Sequence, residues 1–342
     1  MKKLLVILSV LALFALAAVP SFAQDEEPTI AELVVASTEA EAPEFTVLLA
    51  AVGAADPGFL ELLSDPNANV TVFAPTDAAF TAALEALGLT AEELLADTET
   101  LNRVLAYHVV PGAYDAASVV ALDGALIGTY LNESALTISV EGDAVMVDDA
   151  TVVAADVMAS NGVVHVIDSV LLPPEPMEMS GDMMAEPTMS IAETVVAATE
   201  SDAPQFATLL AAVAAADPIV LDSLTNYGPY TVFAPTDEAF AAALEALGLT
   251  AEELLADTET LTAILAYHVV PGKFSAETVV AAAGSMMDEG VNVATLLSGT
   301  TVSITTDGTN VYVNDATVIA TDVFATNGVI HVIDSVILPP ME

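Results

Sequence analysis

Laid against itself with a shift of 160 residues, this 342-residue chain repeats. Thr71-Val72-Phe73-Ala74-Pro75-Thr76-Asp77 returns as Thr231 through Asp237, and Ala82 through Leu101 return unchanged as Ala242 through Leu261. At Asn161-Gly162-Val163-Val164-His165-Val166-Ile167-Asp168-Ser169, which returns as Asn327 through Ser335 with one Val/Ile exchange, the shift has grown to 166. The second copy has therefore gained residues in between, expected near Gly284 to Ser298. Each copy must close its own core within about 150 residues, a usual size for one independently folding domain and too long for a solenoid repeat. There is no cysteine, so neither a disulfide nor a zinc–thiolate site can help. An apolar core has to hold each domain, and a composition 55% hydrophobic makes that feasible.

The segments outside the repeat have their own signals. Lys2 and Lys3 precede an apolar run from Leu4 to Val19, and Ser21-Phe22-Ala23 places small residues before Gln24. This is the pattern of a cleaved secretory signal over residues 1–23, since the run falls short of the roughly 20 residues a membrane span needs. The mature product is then expected outside the cytoplasm, secreted or periplasmic, and not integral to a membrane. Residues 175–187, rich in Pro, Met and acid, read as an extended linker between domains at 28–174 and 188–340. The methionines clustered there, Met177, Met179, Met183 and Met184 with Met189 just beyond, are soft donors suited to Cu(I), but low-complexity linker is the expected role.

Forty-nine acidic residues face four Lys and Arg, a formal charge of −45. Such a surface repels phosphate, which argues against nucleic acid and anionic lipid as partners. It also keeps an apolar-rich protein dispersed.

Local patterns place helices first and strands later. Thr29-Ile30-Ala31-Glu32 and Ser190-Ile191-Ala192-Glu193 fit capping boxes, and Thr90-Ala91-Glu92-Glu93 opens another helix after Gly88. Phe45, Leu48, Leu49 and Val52 recur at helical spacing, as do Phe206, Leu209, Leu210 and Val213. Thr76 is placed to cap a helix whose inner face carries Phe80, Leu84 and Leu87, with Asp77 favourable at its positive end. The period then changes to two: Leu136 to Val140 and Ala144 to Val147 flank a turn, as do Val302 to Thr306 and Val311 to Val313. Asn161-Gly162 and Asn327-Gly328 read as the central residues of two-residue hairpin turns. The order predicts an α+β fold in each copy.

Three segments recur in order in both copies: Thr-Val-Phe-Ala-Pro-Thr-Asp at 71–77 and 231–237, Tyr-His-Val-Val-Pro-Gly at 107–112 and 267–272, and the Asn-Gly-Val run at 161–174 and 327–340. Together they closely resemble the fasciclin domain over nearly all of residues 28–340. The resemblance implies two tandem domains, each a compact β-wedge flanked by helices, of a type found in extracellular adhesion and matrix proteins. It also implies that the Tyr-His segment takes part in recognition, which nominates Tyr107, His108, Tyr267 and His268 as partner-binding residues. The expected function is non-catalytic adhesion or matrix interaction with a protein or polysaccharide at a cell surface. A carrier of a small hydrophobic ligand and a surface-coat component are the alternatives.

All four histidines, His108, His165, His268 and His331, fall inside these motifs. Two imidazoles with a carboxylate such as Asp77 could ligate an ion, but His108 and His165 lie far apart in sequence, no short ligand spacing is present and no Cys completes a set. The expectation is structural use, with no metal and no cofactor. The sequence holds no Gly-x-Ser-x-Gly elbow, no His-Glu-x-x-His and no phosphate-cradling loop, so an enzyme is not expected.

Overall fold

The computed structural model describes residues 27–39, 44–142, 144–174, 187–199, 205–285 and 290–340. Residues 1–23, expected to be a secretory signal, and nearly all of the segment expected to be a linker lie outside the described residues. Among the described residues two compact units emerge, one within 27–124 and 136–173, the other within 125–135 and 174–340.

The first copy begins with three short helices, α1 (Ile30–Thr38), α2 (Thr46–Ala54) and α3 (Pro57–Ser64). There follow β1 (Val70–Pro75), α4 (Asp77–Leu87), α5 (Ala91–Ala96), α6 (Thr98–His108), β2 (Val109–Pro111) and α7 (Ala116–Ala121). Strands then dominate: β3 (Leu126–Gly128), β4 (Ala135–Glu141), β5 (Ala144–Val147), β6 (Ala150–Ala159) and β7 (Gly162–Ile167). The second copy repeats this order. Its helices are α8 (Ile191–Thr199), α9 (Ala207–Ala215), α10 (Pro218–Asn226), α11 (Asp237–Leu247), α12 (Ala251–Ala256), α13 (Thr258–Tyr267) and α14 (Ala276–Ser285). Its strands are β8 (Tyr230–Pro235), β9 (Val269–Pro271), β10 (Val291–Ala294), β11 (Thr301–Thr306), β12 (Val311–Val313), β13 (Ala316–Ala325) and β14 (Gly328–Ile333). The fold is α+β in both. Where α7 has six residues α14 has ten, so part of the second copy's extra length extends this helix.

In the first unit β1 runs parallel to β7, with Val70 opposite Gly162 and Pro75 opposite Ile167, while β2 pairs antiparallel on its other side. The antiparallel pairs β7–β6, β6–β5 and β5–β4 continue the sheet. The second unit repeats the scheme with β8 parallel to β14. Every residue of β1 and β7 is buried. A central parallel pair covered on both faces wants such unbroken apolar runs, as Val70 to Pro75 and Gly162 to Ile167 supply. Strand β4 alternates instead, with Leu136 and Ile138 fully buried.

The second unit shows how one strand serves two cores. Val232 and Ala234 of β8 point to a cluster containing Ile191, Leu209, Phe240 and Leu261 from the helices. Phe233 between them points to the other side, where Tyr267, Val302, Ile304 and Ile333 gather. Burying a side chain of this size contributes about 1.5–3 kcal/mol, so these clusters supply what a cysteine-free domain lacks in cross-links.

Expected capping boxes form at Thr29/Glu32, Thr90/Glu93 and Ser190/Glu193. Two details differ from the sequence reading. Leu87 is 51% exposed, because α4 ends at Gly88 in a left-handed turn before its last residue reaches the core. The β6–β7 turn is formed by Ser160 and Asn161, and Gly162 is the first residue of β7, opposite Ala159. Gly162 is needed there for space rather than for the turn: at φ +150° a Cβ would lie 1.9 Å from the Val70 carbonyl oxygen, and the corresponding distance at Gly328 is 2.0 Å to Tyr230.

Gly162→Ala should therefore lower the stability of the first unit by at least about 3 kcal/mol, since the clash is with backbone that is itself paired. Urea unfolding followed by circular dichroism should show an earlier transition, and an unchanged midpoint would contradict this account.

Candidate functional site

The three recurrent motifs converge on the ends of the short helices. Thr76 accepts the Ala79 amide through its hydroxyl at 3.1 Å and so caps α4 as the sequence suggests. Asp77 does something the sequence does not reveal. Its carboxylate accepts the amides of Val47 at 2.9 Å and Thr46 at 3.2 Å, and the Thr46 hydroxyl at 2.7 Å. It thereby caps α2, a helix whose own N-cap residue, Phe45, is left-handed at φ 63° and offers no capping side chain. Asp237 repeats this on α9, accepting from Thr208 at 2.7 Å and Ala207 at 3.2 Å. Burial pushes the Asp237 carboxyl up, but those amides outweigh it and hold the group below the usual carboxylate range.

The nominated Tyr-His residues lie inside the units. Tyr107 and Tyr267 are 4% exposed, His108 and His268 3%. The His108 Nδ1 donates to the Val104 carbonyl at 2.7 Å, and its Nε2 accepts the Leu171 amide at 3.0 Å. That pair of contacts selects the neutral tautomer with the proton on Nδ1. His268 matches it, with Ile264 at 2.7 Å and Ile337 at 3.1 Å. Desolvation pushes both imidazoles down to about 4, despite the backbone carbonyls that favour the charged form. The Tyr107 hydroxyl donates to Asp148 at 2.8 Å, while Tyr267 donates to the Thr301 carbonyl at 2.9 Å. Burial first and the Asp148 charge second push the Tyr107 phenol far above its usual range.

The other two histidines organise a strand bulge. His165 stacks on Phe73, its Nε2 donates to the Tyr114 carbonyl at 2.8 Å, and its Nδ1 faces the Asp156 amide at 3.4 Å. Asp156 sits at φ 59° where the β6 register shifts, and its carboxylate caps α7 through the Ala116 amide at 2.7 Å. His331, Phe274, Asp322 and Ala276 reproduce the arrangement. Each ring nitrogen thus faces a backbone partner, and His108, His165 and Asp77 serve separate elements instead of meeting at one point.

The Asn-Gly motif places a further polar anchor. Asn161 is 1% exposed; its Oδ1 accepts the first amide of α1, from Ile30, at 2.9 Å, and its Nδ2 donates to the Leu63 and Asp65 carbonyls at the end of α3, both at 3.0 Å. One amide side chain therefore closes two helix ends. The sequence marked Asn161 as a turn former and gave no sign of this reach across about a hundred residues.

Above these anchors each unit carries an apolar groove between its first three helices and the sheet. In the first unit it is shallow, a cavity of about 50 Å³ lined by residues including Val34, Val35, Leu48, Leu60 and Leu63. The second unit has one of about 50 Å³ at the matching positions, Val195, Val196, Leu209, Leu221 and Leu224. Val35, Leu60, Val196 and Leu221 remain largely exposed at the rims. No single helix among the described residues is long and apolar enough to cross a membrane.

Comparison with known proteins agrees with this duplicated architecture. The fasciclin domain model matches residues 43–173 and 204–339, and the chain belongs to the fasciclin domain family. Protein sll1483 of Synechocystis is 49% identical over 138 residues, 40% of this chain and 68% of that protein. The transforming growth factor-beta-induced protein ig-h3 of Sus scrofa is 32% identical over 272 residues, 79% of this chain but only 35% of the relative. Among solved structures, a FAS1 domain pair from the insect cell adhesion molecule Fasciclin I matches with 20% identity and a TM-score of 0.35, over 85% of this chain and 95% of that one.

Two outcomes test the anchors. Asp77→Ala should destabilise the first unit by about 1–2 kcal/mol, the usual loss for a helix cap, with Asp77→Asn recovering part of it because one carbonyl acceptor remains. The measurement is the urea midpoint, and equal midpoints for all three proteins would remove Asp77 from this role. The histidines predict a pH dependence. Since His108 and His268 titrate at about 4 when folded and near 6.5 when unfolded, their contribution is complete above pH 6.5 and is lost as pH falls toward about 4. Imidazole proton resonances of both should hold their neutral shifts down to about pH 5; titration near 6.5 in the folded protein would contradict the buried, neutral assignment.

Proposed function

We propose that this chain is a secreted, non-catalytic adhesion or matrix-interaction protein. Two fasciclin domains, at 28–174 and 188–340, act together across the linker at 175–187. The observation that carries this reading is the use made of the motif residues. His108, Asp77, Asn161 and their counterparts spend polar atoms on backbone groups of their own unit, and the Tyr107 hydroxyl is held by the Asp148 carboxylate. In this reading Tyr107, His108, Tyr267 and His268 contribute by holding the segment that shapes the surface, and the outer faces meet the partner, a protein or polysaccharide at a cell surface or in a matrix. Family membership supports an extracellular binding role. Two weak contacts on one chain gain through effective concentration, provided the linker lets both engage.

A second reading, carriage of a small hydrophobic ligand, is favoured by the twin apolar grooves. The two are separated by one set of measurements. An adhesive tandem binds cells or matrix polymers on a sensor surface at least about tenfold more tightly than either half. A carrier yields an organic-extractable ligand after purification and binds surfaces no better as a tandem. Equal, weak binding by tandem and halves, with no ligand extracted, would count against both.

A further inference from the structure

The anchor at Asn161 has a chemical weakness built into it. It is followed by Gly162, whose amide carries no neighbouring side chain to hinder its approach to the Asn161 side-chain carbonyl carbon. In a free chain that amide nitrogen attacks Cγ, a new C–N bond forms, and Nδ2 leaves as ammonia with the proton the backbone amide gives up. Water then opens the resulting cyclic imide at either C–N bond, leaving an aspartyl or an isoaspartyl residue. No co-reactant other than water is consumed.

The fold opposes each part of this sequence. For the ring to close, the side chain must turn toward Gly162, away from the Ile30 amide, and Nδ2 must leave the two carbonyls that hold it at 3.0 Å. The Asn161 carbonyl is itself fixed by the Val70 amide at 3.3 Å. Asn327-Gly328 is held the same way: Oδ1 accepts from Ile191 at 2.9 Å, and Nδ2 donates to Leu224 at 3.0 Å and Tyr227 at 2.8 Å.

The product does not fit the place it came from. A carboxylate at position 161 offers only acceptors to the Leu63 and Asp65 carbonyl oxygens, which lose the Asn161 donor and gain a negative neighbour in a buried setting, the Asp65 oxygen keeping the Ala68 amide. The isoaspartyl form also lengthens the main chain by one carbon, just before the point where Gly162 passes Val70 with no room even for a Cβ.

We propose that Asn161 and Asn327 are deamidation sites masked by the fold, so that each excursion to the unfolded state exposes a domain to a chemical change from which it does not refold. The chain then carries one such one-way site per domain, and its working life is set by how often each domain opens.

The test uses the full chain, kept in mildly alkaline buffer either native or unfolded in urea, with peptide masses read at intervals. Asn161 and Asn327 should gain the mass of an amide-to-acid exchange at least about 100-fold more slowly in the native sample, as expected when modification proceeds only through an opened state. On removal of urea, molecules modified at either site should collect in the protease-sensitive fraction while unmodified ones refold. Comparable rates in the native and unfolded samples would overturn the proposal. So would modified chains that recover the original unfolding midpoint. Asn161→Asp, which installs the aspartyl product directly, should melt well below the unaltered protein or fail to fold; an unaltered melting temperature would also overturn it.

Discussion

Without disulfides, the short helices of each domain depend on single polar side chains that arrive from far along the sequence to satisfy their free ends. Asp77 reaches back 30 residues to α2, Asp156 reaches 40 to α7, and Asn161 reaches 131 to the first turn of α1. His108 takes the Leu171 amide from 63 residues away and so ties the segment after β7 to the end of α6. A helix of eight or nine residues is marginal by itself in water. These contacts make its boundary conditional on the sheet, because Asp77 and Asn161 flank β1 and β7 and are positioned only when the two strands pair. Loss of one anchor exposes unsatisfied buried amides as well as removing a hydrogen bond, and the larger cost is the former.

Comparison of the two copies shows which atoms of these anchors are constrained. Asp148 and Asn314 occupy the same left-handed turn, at φ 50° and 52°. In each, Oδ1 accepts a strand amide, from Thr137 at 2.8 Å in one copy and from Ser303 at 2.9 Å in the other. The second side-chain atom differs: Asp148 accepts from the Tyr107 hydroxyl, whereas Asn314 donates to the Tyr267 hydroxyl at 3.1 Å. The reversal is tolerated because a phenol can serve as donor or acceptor and Tyr267 finds the Thr301 carbonyl for its own proton. The acceptor toward the strand has no such freedom. The requirement at this position is therefore one carbonyl oxygen in a left-handed turn, which Asp and Asn both meet.

Much of the frame was legible in the sequence. The duplication, the capping boxes, the β4–β5 and β11–β12 hairpins and the switch from helical to strand period are local signals that appear where the pattern put them, whereas the turn expected at Asn161-Gly162 falls one residue earlier. Helix α3 was not among the expected elements: Asp56 accepts the Gly58 amide at 2.8 Å and Pro57 sits at the first helical position, where its missing amide costs nothing. The exposure of Leu87 and the role of Gly162 were missed for a different reason. Leu87 stands where α4 stops at the left-handed Gly88 and Gly162 faces the Val70 carbonyl, and period alone carries no information about either. The same limit applies to Asp77. Its position at the start of α4 explains it so well locally that nothing in the sequence prompts a search for a second helix.

The acidity of the chain takes on a structural meaning in this light. With so few Lys and Arg, the carboxylates have almost no side-chain cations to pair with, and backbone amides at helix starts and turns take their place. Thr90 holds Glu93 below its usual range through its amide and hydroxyl, Thr100 does so for Asp97, and Asn310 and Thr309 bring Asp307 to about 2. Such pairs differ from surface ion pairs in having one partner fixed in the main chain, so little side-chain freedom is lost in forming them. They sit at exposed helix starts and turns, where the main chain supplies the donor. Hydrogen-bonded to amides or not, the exposed carboxylates set the outward charge. A protein of such negative charge repels phosphate-rich surfaces.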